Sequence, residues 1–111
     1  MTFTNMVQQW FKDEGGGTLF LPDGWWGKPW DNFHQLTSIE ETSNTLTIVL
    51  DQISTLHFEG LKSVKARKHE LAFGPFEKLY FSWAWGNYNT DGKLGTKEYQ
   101  DGEAKILKYG D

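Results

Sequence analysis

The chain has no cysteine among its 111 residues. A disulfide framework, a thiolate metal site and a cysteine nucleophile are therefore excluded. No apolar run approaches the roughly 18 residues of a membrane-spanning helix. Met1 is followed by Thr2, Phe3, Thr4 and Asn5, with no basic stretch, apolar stretch or small-residue cleavage site. No secretory leader is read there, and a soluble, cytoplasmic protein is the expectation. Positive charge is also short. Eleven Lys and Arg stand against 15 Asp and Glu, a formal net charge of −4. That balance argues against nucleic acid and membrane surfaces as partners. Apolar residues make up only 38%, but aromatics reach 16%. The core must therefore be filled by a few large rings, each removing roughly 150–250 Å² from water. At this length one domain, 1–111, is expected.

Along the chain, Asn5 to Glu14 places Val7, Trp10, Phe11 and Glu14 at helical spacing, with Thr4 as the expected N-cap. Gly15, Gly16 and Gly17 then stop the helix. A phosphate loop would need the reverse order, strand then helix. Thr18 to Leu21 reads as a short strand ending at Pro22. Phe33 to Glu41 reads as extended but does not alternate cleanly, which suggests a bulge. Thr45 to Asp51 alternates best, with Leu46, Ile48 and Leu50 on one face. Asp51 and Gln52 can close a hairpin into Ile53 to Glu59, where Leu56 and Phe58 face inward. Lys62 to Lys68 is a basic strand. Leu71 to Phe73 extends it or forms a separate piece before Gly74-Pro75. Lys78 to Trp85 is the most apolar strand, with Leu79, Phe81, Trp83 and Trp85 on one face. Glu103 to Tyr109 reads as a last strand or a short helix.

Segments of this length with turns every eight to twelve residues predict a mainly β fold. The expectation is an antiparallel meander of about six or seven strands. It curls into a small barrel or a two-layer sandwich, because few helices are present to cover an open face. One short N-terminal helix covers an opening or an edge. Leu46, Ile48, Leu50, Leu56, Phe58, Leu79, Phe81 and Trp83 form the predicted core.

The densest chemical signal is the run from Asp23 to Asn32, which holds Trp25, Trp26 and Trp30. Gly24, Gly27 and Pro29 break helix and strand patterns, so a loop is predicted. Three indoles in a loop either seal the core from above or face a partner. Tryptophan dominates protein-contact hot spots. A flat indole flanked by Asp23, Asp31 and Asn32 also suits a sugar ring. Trp25, Trp26, Trp30, Asp31, Asn32 and His34 are therefore the candidate partner- or ligand-binding residues.

A second signal runs from Asn87 to Glu98. Asn87, Asn89 and Asp91 stand at positions 1, 3 and 5 of a twelve-residue window, with Gly92 at 6, Leu94 at 8 and Glu98 at 12. This window resembles the calcium loop of EF-hand proteins, in which alternate oxygens converge on the ion and the last Glu chelates it. The resemblance implies calcium held by Asn87, Asn89, Asp91 and Glu98. The window departs from the family at Asn87, where Asp is usual, and in a preceding strand where a helix belongs. Asp91-Gly92 is also a hairpin dipeptide, and a metal-free turn is the expectation. No cofactor is expected.

Asp31 near His34 is the one histidine–carboxylate pair the sequence suggests, with His34 on a half-exposed strand. No nucleophile elbow and no His-rich metal spacing occur, so no catalytic residue is assigned. Lys62, Lys65, Arg67, Lys68 and His69 read as a charged edge strand protected from pairing, or as a patch for an acidic partner. Taken together, the sequence points to a small non-enzymatic interaction domain. Its aromatic loop contacts a protein or a second copy of the chain. The alternative is a binding module for a small carbohydrate-like molecule.

Overall fold

The structure is a computed structural model that describes residues 2–26, 33–84 and 94–108. One helix, α1 (Phe3–Glu14), precedes eight strands. These are β1 (Thr18–Leu21), β2 (Gly24–Trp26), β3 (Leu36–Glu41), β4 (Thr45–Leu50), β5 (Ser54–Glu59), β6 (Val64–Arg67), β7 (Glu70–Ala84) and β8 (Leu94–Leu107). The fold is mainly β and antiparallel, with one short N-terminal helix.

α1 begins two residues earlier than the sequence predicts. Its N-cap is Thr2, whose hydroxyl accepts from the Asn5 N–H at 3.1 Å. Thr4, the expected cap, sits in the first turn. Its N–H and hydroxyl both donate to Glu41 Oε1, at 2.9 and 2.8 Å. The tertiary partner at β3 draws Thr4 into the helix and leaves the capping to Thr2. At the other end the Gly15 N–H bonds the Phe11 carbonyl at 2.8 Å. Gly15 holds φ 88°, a backbone region that glycine enters without steric cost. Val7, Trp10 and Phe11 form the buried stripe. Trp10 Nε1 donates to the Arg67 carbonyl at 2.8 Å. The helix therefore spans from β3 at Glu41 to β6 at Arg67.

The strands form one sheet in the order β2-β1-β8-β7-β5-β4-β3, with β6 paired to β7 off this path. β4, β5, β7 and β8 carry the expected meander. Residues alternate strictly in β4 and β5, so Leu46, Ile48, Leu50, Leu56 and Phe58 are buried while their neighbours are half-exposed. The β4–β5 connection uses Asp51 and Gln52 at φ 54° and 65°, with the Ile53 N–H bonded to the Leu50 carbonyl at 3.1 Å. Two successive left-handed residues match the twist of a tight hairpin. The bulge foreseen ahead of β4 lies between Leu36 and Ser38.

The sheet is not closed into a barrel. Its two ends are tied where Gly17, just before β1, meets His34, two residues before β3, in an antiparallel bridge. The two bonds are 3.1 and 2.7 Å. The result is a curled sheet around a core of Val7, Leu19, Ile48, Leu56, Phe58, Leu71, Phe73, Leu79, Phe81 and Ile106, all fully buried. Every predicted core residue joins it except Trp83, which packs against its margin half-exposed.

Three sequence expectations are corrected. The start of the tryptophan run is a strand, because Gly24–Trp26 folds back on β1 with Trp26 opposite Leu19 and Trp25 opposite Phe20. Leu71–Phe73 is not a separate piece. β7 runs through Gly74-Pro75 in one strand of 15 residues, absorbing the break with a register shift between Phe73 and Phe76. β8 is 14 residues long and reaches back to Leu94, where the sequence placed only turn and a short tail.

Candidate functional site

The aromatic end of the curled sheet collects most of the chemistry. Trp26 is half-buried, and its ring meets Phe81 edge-on at 5.0 Å and 78°. Trp83 lies 5.8 Å from Trp26 and 5.3 Å from Phe81. The His34 ring stands 5.3 Å from Trp26. Edge-to-face and tilted packing at these separations suits ring quadrupoles. Trp26 is thus an anchor at the point where the chain leaves β2. Trp30, Asp31 and Asn32 lie outside the described residues.

His34 corrects the sequence reading. It is not half-exposed but 4% exposed. Its carboxylate partner is Asp51, with Nδ1 2.6 Å from Asp51 Oδ2. The second Asp51 oxygen accepts the Gln35 N–H at 2.9 Å. His34 Nε2 faces the Trp26 carbonyl oxygen at 3.5 Å. A histidine–carboxylate pair acts as a general base only if its outer nitrogen reaches a substrate. Here the outer nitrogen turns to the backbone of β2. The pair works as a clamp that binds the β4–β5 turn, the approach to β3 and the end of β2 into one corner.

Ser54 is the other unexpected member. It is fully buried, and its hydroxyl has no hydrogen-bond partner among the described residues. Backbone register places Leu36, Leu50, Ser54, Trp83 and Gly95 in one row across five strands. Directly opposed residues share a face, so the row lines the inside. Gly95 is required there because the Trp83 indole occupies the space a Cβ would fill. At the rim, Phe33 is 49% and Ile53 41% exposed, the exposed large hydrophobics among the described residues.

The turn between β1 and β2 is latched onto β8. Tyr99 donates to Asp23 Oδ1 at 2.8 Å, and Lys97 Nζ reaches Asp23 Oδ2 at 3.2 Å. Burial alone would raise the Asp23 pKa, but these two hydrogen bonds and the Lys97 charge hold it below its ordinary value. Burial, then the bond to Asp23, pushes the Tyr99 phenol up.

Asn87, Asn89 and Asp91 of the calcium-like window lie outside the described residues. Glu98 stands in β8 opposite Tyr80, exposed, with Lys78 Nζ at 3.9 Å. The described flanks of the window are strands rather than the helices of an EF-hand. Among the described residues no three acidic or histidine side chains cluster in a way that would hold a metal.

Sequence reasoning missed Asp51, Ser54 and Tyr99. Asp51 is 17 residues from His34 and looked like turn chemistry alone. A small polar residue in an inward register, Ser54 before Leu56 and Phe58, was the available signal for the second. Comparison of the chain with protein-family models, with curated proteins and with solved structures found no match.

Proposed function

We propose that this chain is a small non-enzymatic interaction domain that binds a protein partner, or a second copy of itself, through its aromatic end. The observation that carries this reading is Trp26. Its ring is wedged against Phe81 beside Trp83, while the chain leaves β2 immediately after it. A rigid aromatic anchor at the root of a tryptophan-rich segment is the arrangement in which binding energy concentrates at contacts. Phe33, next to His34 in the chain, and Ile53, next to Ser54, add exposed apolar side chains. The enclosed His34 supports a contact role over a catalytic one.

The test separates fold from contact. Phe33→Ser and Ile53→Ser should leave the melting temperature within a few degrees. Sedimentation velocity over a concentration series then reads self-association. A photo-crosslinker at position 33, with one at exposed Glu77 as control, reads a protein partner. A chain that stays monomeric and yields the same crosslinks from both positions would sink the proposal.

A further inference from the structure

A groove of about 620 Å³ runs beside α1, on different residues from the aromatic end. Its floor is apolar: Met6 and the largely buried Trp10 from the helix, and Ala66 from β6. The helix wall presents the Asn5 and Gln9 amides, and the opposite wall is Arg67 and Lys68. β6 pairs with β7 on one edge and with no strand on the other among the described residues.

We infer that this groove seats an extended acidic peptide segment of a partner protein. Three features converge on that occupant. The size fits, since the volume falls within the roughly 300–1,000 Å³ of ligand sites. The length fits as well. Asn5 to Asp13 spans about 12 Å of helix at about 1.5 Å per residue, which four extended residues cover at about 3.3 Å each. The third feature is charge. Lys65, Arg67 and Lys68 are exposed in a chain of net charge −4. Lys68 lines the groove, Lys65 flanks it, and neither makes one of the described ion pairs; of the two acids of the groove, Glu14 is paired with cations and Asp13 meets the Gln9 amide. Asp13 accepts from Gln9 Nε2 at 2.9 Å, and Glu14 lies 3.9 Å from His69 and 3.7 Å from Lys108. Arg67 shares Glu70 at 3.7 Å while remaining 60% exposed. The free cations face outward, ready for carboxylates. Main-chain groups of an extended segment meet the amide side chains and the open edge of β6, as in strand addition.

The experiment is an amide chemical-shift titration of the intact chain with the peptide acetyl-Glu-Val-Glu-Val-Glu-amide. Saturable shifts are expected in α1 and in residues 66–68. They should weaken about tenfold or more in Arg67→Gln/Lys68→Glu. The peptide acetyl-Lys-Val-Lys-Val-Lys-amide should give none. If the double variant loses its native spectrum, Ala66→Leu, which fills the floor, replaces it with the same expectation. Absence of shifts at millimolar peptide, an equal response to the lysine peptide, or shifts confined to other residues overturns the inference. Peptide-free, concentration-dependent shifts in the groove would assign it to a second copy of the chain and overturn it equally.

Discussion

Removing the hydroxyl of Ser54 should stabilise the fold. The group is fully buried and has no partner among the described residues, so the native state carries its desolvation without a compensating bond. Leaving a buried polar group unsatisfied costs about 1–3 kcal/mol, and Ser54→Ala returns that sum. The substitution opens a void of one oxygen atom. At about 24 cal/mol per Å³ of cavity, the void costs only a few tenths of a kcal/mol. The net expectation is a gain of about 1–2 kcal/mol. For 111 residues, an unfolding entropy of about 2.1 cal/mol/K per residue converts this to a rise of roughly 4–8 °C in Tm. Urea denaturation should show a higher midpoint at an unchanged slope, because the surface exposed on unfolding barely alters. A loss of 1 kcal/mol or more would show that the hydroxyl is satisfied in solution, and the reasoning from its isolation would fail.

Phe81→Ala removes the ring on which Trp26 and Trp83 both rest and should cost about 3–5 kcal/mol; a urea-measured loss below about 1 kcal/mol would contradict its central place in β7. Gly95→Ala should displace the Trp83 indole at a cost of about 1–3 kcal/mol, visible as a changed tryptophan emission maximum, and an unchanged spectrum with unchanged stability would count against the packing. Stability should also fall in acid. Hydrogen bonds from the Thr4 N–H and hydroxyl hold Glu41 below its ordinary 4.5, and the Tyr99 and Lys97 contacts hold Asp23 below its ordinary 3.8. Both carboxylates therefore contribute fully above those values and lose their contribution as pH drops through the lowered ones. Urea midpoints from pH 6 to pH 2 should show a drop that is smaller in Tyr99→Phe; equal drops in the two proteins would remove Asp23 from the account.

The sequence was legible where side chains alternate between water and core within one strand. Thr45 to Leu50 and Ser54 to Glu59 announce their inward faces because each sits between two paired strands with one side wet. The first half of β8 was not legible, although its end from Glu103 was read as a strand or short helix. Its positions opposite Leu79, Phe81 and Trp83 are Tyr99, Lys97 and Gly95, so the apolar signal there is carried by β7 alone. β2 was hidden for a different reason. Gly24, Trp25 and Trp26 have no strand pattern of their own, and pairing with β1 imposes one. In the candidate site, Trp26 could be read as a large ring in need of a surface. Its neighbours could not. Asp51 and His34 meet through a hairpin and a sheet edge that no local spacing encodes, and Ser54 gains significance only from a register spanning five strands.

The strand order has a consequence for synthesis. β1 lies between β2 and β8, and the registers pair Leu19 with Ile106. A ribosome releases that first strand some 87 residues before the second of its two partners exists, the distance from Leu19 to Ile106 in the chain. During that interval β1 can pair with β2 on one edge, and its β8 edge stays open. Contacts this distant in sequence form late and slowly. Replacing Leu19 by Ala should accordingly speed unfolding and leave the folding rate almost untouched, the reverse of a nucleus position. Through most of its manufacture the nascent protein therefore carries an unpaired strand edge near its start.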